Sequence, residues 1–280
     1  MSRSLSGRSQ ESTEAAALDN QPVHDAGAEF YRAALAELRT AAIPFLVGGA
    51  YALEVHAGIH RRTKDLDIFV LEKDALSCLD VLATAGYRAE LTFPHWLGKV
   101  FCGEEFIDVI FNSGNGCCPV DDEWFDYARP GRVLNLDLPL CPVEEVIWQK
   151  SFILERDRCD VADVSHLLRR HAATLDWNRL IERFGNNGSV LFAQLVLFDF
   201  IFPGHRDSVP VWVQQRLLHE HQTARPQFVG GAPVIQGTLL SASQYLRDID
   251  QEGYHDVRLP PTGRLSREQI AIWTANFMQH

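Results

Sequence analysis

Between Arg61 and Val70 the chain reads Arg-Arg-Thr-Lys-Asp-Leu-Asp-Ile-Phe-Val. As an extended strand this run puts Arg61, Thr63, Asp65 and Asp67 on one face, with Leu66, Ile68 and Val70 on the other. Two carboxylates at alternate strand positions stand about 7 Å apart at their backbones, given a rise of ~3.3 Å per residue. They repel each other unless a cation lies between them. Magnesium prefers oxygen ligands and is commonly held by one or two carboxylates together with substrate phosphates, so the spacing suits phosphoryl chemistry. The competing reading is an exposed edge strand whose Asp65 and Asp67 are neutralised by Arg61 or Lys64.

Upstream, Gly48-Gly49 falls after the apolar Phe45-Leu46-Val47 and before a helix-forming run. Glycines there let a phosphate approach the backbone donors of a helix start, although a Gly-Gly pair also serves as a plain tight turn. Downstream, Asp108 is the lone charge in Phe106-Ile107-Asp108-Val109-Ile110-Phe111, and a buried carboxylate needs a partner. Further on, Lys150 could reach triphosphate oxygens from the far wall of a cleft, or act as a solvated lysine or a helix-stabilising ion pair. Helical spacing from Arg156 through Asp160 to Asp163 aligns these three on one face, with Arg156 and Asp160 read as a structural pair.

Together, Gly48-Gly49, a helix, and then Arg61-x-Thr63-x-Asp65-x-Asp67-hydrophobic is similar to the signature of the polymerase-β-like nucleotidyltransferase superfamily. The closest likeness is to its small prokaryotic branch, which includes AbiEii-type toxins. The resemblance spans about Ala26 to Asp163, with a longer stretch between Gly49 and Asp65 than many members show. It implies an α/β (α+β) fold, a mixed sheet with flanking helices, followed by a helical domain. By resemblance, Asp108 completes a metal site with Asp65 and Asp67, and also takes the proton from an attacking hydroxyl. Two magnesium ions are implied, with manganese as a substitute. Gly48, Gly49, Arg61, Thr63 and Lys150 are the expected nucleotide contacts. The implied reaction moves a nucleoside monophosphate from an NTP such as ATP to a hydroxyl of RNA, a protein or a small molecule. The alternative is an inactive binding module on the same fold, or a toxin-antitoxin component.

Elements must position these groups. Phe30, Ala34, Leu35 and Leu38 recur at helical spacing over residues 26–40, and Pro44 punctuates the entry into the first strand. A helix is expected over 50–56, stopped by Gly58, and a strand over 65–71. A helix over 73–85 then ends at Gly86, and strands at 99–102 and 106–111 flank a Gly103-Glu104 turn. Residues 112–132 read as a loop, and the chain becomes mostly helical from Pro142 to about His221. The expected divisions are therefore a tail over 1–25, a catalytic domain over 26–140, a helical domain over 141–225 and an appendage over 226–280. The appendage carries helical candidates at 241–251 and 266–278.

Bulk properties narrow the classes. A formal charge of −11 over 280 residues disfavours wholesale polyanion binding, and no DNA partner is expected. The six cysteines include no C-x-x-C pair and read as reduced thiols in a cytoplasm. The first residues, rich in Ser, Glu, Gln and Ala, read as a disordered tail without a secretory signal. The apolar stretch from Val190 to Phe202, broken by Gln194 and Asp199, is shorter than the ~20 residues of a membrane span, so a buried helix and no membrane partner are expected.

Other groupings carry weaker signals. Cys159, Asp163 and His166 lack a fourth zinc ligand at suitable spacing, and His219 and His221 point to different helix faces. His95 and Trp96 either stack on a base or pack the sheet edge. The basic run from His60 to Lys64 either meets an RNA acceptor or is a solvated loop.

Overall fold

A computed structural model describes residues 25–61 and 63–277. The tail expected over 1–25 lies, up to residue 24, outside the described residues, as do Arg62 of the basic run and residues 278–280.

Helix α1 (Asp25–Thr40) leads to the short strand β1 (Leu46–Val47), then α2 (Gly49–Ala57) and β2 (Asp65–Phe69). Gly58 ends α2 in the left-handed conformation, φ 69°, its N–H returning to the Glu54 carbonyl, a geometry glycine adopts at little cost. Next come α3 (Glu72–Thr84), β3 (Arg88–Phe93), β4 (Leu97–Cys102) and β5 (Glu105–Ile110). The short helix α4 (Asp122–Asp126) precedes the hairpin of β6 (Arg129–Val133) and β7 (Leu136–Leu140).

These strands form one seven-stranded mixed sheet, in the order β3-β4-β5-β2-β1-β7-β6. Alternation assigns its two faces. Leu66, Ile68, Val100, Ile107 and Val109 turn toward α1 and α3, where they join Tyr31, Leu35, Leu38, Cys78 and Leu82 in a core layer. Each large aliphatic side chain fully buried there contributes about 1.5–3 kcal/mol. The other face carries the polar positions of β2 and β5.

Helices follow the sheet: α5 (Val143–Ser151), α6 (Val161–His171), α7 (Trp177–Phe184), α8 (Gly188–Ile201) and α9 (Val211–Thr223). By length and apolar composition alone, the run Trp177–Ile201 would suffice to cross a membrane. Here it is α7, a 3₁₀ turn and α8, and α8 buries Leu191, Gln194, Leu195 and Phe198. Charge is buried among these helices too. Glu145 is fully enclosed and is met by both Arg179 and Arg183, while Arg179 also reaches Glu144 at 2.8 Å.

Several elements depart from the sequence expectations. The region read as a loop over 112–132 contains α4 and the start of β6. The β6–β7 hairpin was hidden by Pro130, Gly131 and Pro139, with Pro130 opposite Pro139 in the register. Strand β3 was also unforeseen; like β6 it lies at a sheet edge, where irregular composition is tolerated. The final segment adds a small sheet, β8 (Phe228–Val229), β9 (Ala232–Ile235) and β10 (His255–Asp256). Its first helical candidate shrinks to α10 (Leu246–Asp250), and the second is α11 (Arg267–Phe277).

Candidate active site

Strands β2 and β5 run parallel, with Asp65 opposite Phe106 and Asp67 opposite Asp108. All three aspartates therefore project from one face. One carboxylate oxygen from each lies within 4.8 Å of the other two. The edge-strand reading of Asp65 and Asp67 does not hold, because β5 and β1 occupy both sides of β2. Nor do Arg61 and Lys64 neutralise the pair: Arg61 turns away to grip Asp163, its Nη1 donating to Oδ2 at 2.9 Å. Arg61 and Thr63 precede the strand, which begins only at Asp65. The Thr63 hydroxyl donates to an Asp65 carboxylate oxygen and so fixes its orientation.

Burial, reinforced by the charges of Asp108 and Asp65, pushes the Asp67 carboxyl up to about 7. The Asp108 carboxyl is raised by burial as well, with Lys99 opposing the shift. Three carboxylate oxygen donors, of which only Asp108 has an ion-pair partner among the described residues, form the ligand chemistry that magnesium or manganese accepts. The residues present therefore fit a divalent ion.

The glycine turn abuts this cluster. The Gly48 N–H donates to the Asp67 carbonyl at 3.0 Å, and Gly49 opens α2 with φ at 55°. A Cβ on Gly49 would land on the Asp67 carboxylate, and one on Gly48 would strike the Phe69 ring. Glycine is thus required by the approach of the β2 side chains to the turn, a constraint the bare sequence could not reveal.

Gly49, Asp67, Lys99 and Asp108 line a cavity of about 390 Å³. Lys150 and Arg158 line it too, as do the aromatic residues Phe93, Trp96 and Trp124. Trp96 stacks on Phe93 with ring centroids 5.4 Å apart, whereas the neighbouring His95 is buried and bonds the Gly114 carbonyl at 3.0 Å. Lys150 sits in the wall with its Nζ donating to Asp160 at 2.6 Å and Asp163 at 2.8 Å. The expected Arg156–Asp160 pair gives way to Arg158, whose Nη2 is 3.1 Å from Asp160. The reason is local: α6 begins at Val161, so Arg156 and Cys159 lie outside its helical spacing. His219 and His221 lie exposed on α9, away from the cavity lining.

Two contributors were missed in the sequence. Lys99 pairs with Asp108, Nζ to Oδ1 2.6 Å, because it faces Asp108 across the β4–β5 hairpin. A two-residue Gly103-Glu104 turn sets that register, so counting back from the turn would have found it. The other is the C-terminal segment, whose Leu239, Leu240 and Trp273 complete the wall. It is tied down by Asn115 donating to the Leu239 carbonyl at 2.6 Å and by the Ala242 N–H donating to Glu155 at 2.7 Å.

No protein-family model matches the chain, and no curated protein sequence does. Among solved structures it is similar to the antibiotic-resistance factor ANT(2'')-Ia, with 16% identity, 70% of this chain and 97% of that chain covered, and a TM-score of 0.36. It is also similar to the lincosamide antibiotic adenylyltransferase LnuA, with 15% identity, 50% and 94% coverage and a TM-score of 0.36. A third is terminal uridylyl transferase 4 from Trypanosoma brucei, with 15% identity, 57% and 53% coverage and a TM-score of 0.29.

Proposed function

We propose that the chain is a nucleotidyltransferase that moves a nucleoside monophosphate from an NTP to an acceptor hydroxyl, releasing pyrophosphate. The observation that carries this reading is the meeting of Asp65, Asp67 and Asp108 beside the Gly48-Gly49 turn, at a cavity of nucleotide size that Gly49, Asp67 and Asp108 line. Asp65, Asp67 and Asp108 would hold the magnesium, which when bound supplies positive charge to the phosphate oxygens.

The chain's own groups have distinct proposed parts. Asp108 takes the proton of the acceptor hydroxyl, and its raised carboxyl makes it a stronger base than an exposed aspartate. Gly48 and Gly49 give the phosphates access to the start of α2. Thr63 holds Asp65 in place. Lys150 lines the cavity and is a proposed triphosphate contact, while Arg61 would have to release Asp163 to become one. The cavity's aromatic walls exclude water and orient the substrate. The acceptor class spans RNA, protein and small molecules; the net charge of −11 weighs against long polyanions. The free cysteines suit a reducing cytoplasm.

Purified protein incubated with each α-labelled NTP, magnesium and a cell extract tests the reading. A labelled acceptor whose formation is lost in Asp67→Asn supports the enzyme. A stoichiometric complex with nucleotide or partner and no transfer would instead support a binding module on this fold, including a toxin-antitoxin component.

A further inference from the structure

Resting on the metal-dependent reading above, we propose that the Lys99 ammonium permanently occupies the place of a second metal ion, so that the site takes a single divalent cation.

The placement of Lys99 is built into the sheet. It faces Asp108 directly across the β4–β5 ladder, and its Nζ lies 2.6 Å from the Asp108 carboxylate. The same nitrogen lies 4.1 Å from the centre of the Phe106 ring, two residues before Asp108 and therefore on the same face. A carboxylate on one side and an aromatic face on another hold the ammonium by charge and by cation–π attraction. Its side chain is only 22% exposed, so little freedom remains to swing into solvent.

The distribution of charge points the same way. Among the described residues, neither Asp65 nor Asp67 forms an ion pair, whereas Asp108 pairs with Lys99. Three ionised carboxylates less one ammonium leave two negative charges on the Asp65–Asp67 side of the cluster, which one divalent ion neutralises. A second ion would have to take the Asp108 oxygen that already accepts from the ammonium, Oδ1, against direct repulsion between the two cations. Lys99 thereby keeps Asp108 oriented toward the cavity without a metal of its own. Its part is that of a positioning residue.

The test is to titrate Mn²⁺ into the full chain with a non-hydrolysable α,β-methylene NTP, counting bound ions from the electron paramagnetic resonance of the free metal. One ion per wild-type chain is expected. Lys99→Met should bind two, and Lys99→Arg, which retains the charge, should bind one; circular dichroism confirms that each variant is folded. If Lys99→Met does not fold, Lys99→Gln takes its place. Two ions in the wild type, or one in a folded Lys99→Met, would overturn the proposal. No ion in any variant would instead overturn the metal-dependent reading on which it stands.

Discussion

Asp67→Asn should make the metal-free protein more stable at alkaline pH while abolishing the proposed transfer. In the folded state burial and two adjacent carboxylates push the Asp67 carboxyl from 3.8 to about 7. The unfolded chain releases this proton near pH 4, whereas the native chain keeps it to near neutrality. Between those values the native state binds more protons, so stability falls as pH rises through the window and levels off above pH 7. At about 1.4 kcal/mol per pKa unit, the ceiling on this penalty is roughly 4 kcal/mol. The charge of Asp108 contributes to the shift, so part of the penalty belongs to that pair rather than to Asp67 alone. Asparagine keeps the shape and carries no charge, so the variant should match the wild type near pH 4.5 and exceed it at pH 8. With a Tm gain of about 2 °C per kcal/mol for a chain of this size, several degrees are expected. Thermal melts in chelator at both pH values read the effect, and repeats with magnesium should raise the wild-type Tm but leave the variant unmoved. An Asp67→Asn protein destabilised equally at pH 4.5 and 8 would refute the account of an electrostatically loaded cluster.

Gly49→Ala should lose roughly 2–5 kcal/mol, combining about 1–2 for a Cβ in the left-handed region with about 1–3 for driving Asp67 from its place. Chemical denaturation measures the loss, and Mn²⁺ titration should show weakened binding in whatever folds. Arg179→Met should cost about 3–5 kcal/mol, because it strips a partner from the fully buried Glu145; urea unfolding of wild type and variant gives the difference. That loss should shrink when Glu145→Gln is added, since the buried charge left with Arg183 alone is then gone.

How far the sequence led depends on whether each signal was local. The alternation around Asp65 and Asp67 told the site face from the core face, because period two is a property of the strand itself. Asp108 was conspicuous as one acid in an apolar run, yet only the parallel register that seats it beside Asp67 brings the two together. Arg61 was assigned to the same strand face but lies before the strand starts, and there the chain direction lets it reach Asp163 on α6. Pro130, Gly131 and Pro139 looked like loop punctuation, yet β6 is an edge strand and tolerates them. The least legible part was the wall made by Leu239, Leu240 and Trp273. No periodicity within a segment says which distant surface it will cover.

That wall ties competence to synthesis. A nascent polypeptide that has passed Asp108 already carries every acidic ligand and the glycine corner, yet Trp273 has still to be made. A product truncated before that tryptophan would keep the sheet's acidic face while leaving it open to bulk water along one side. Premature termination near the end of translation should thus yield a folded core with an unsealed chamber, rather than a shortened chain with an intact site.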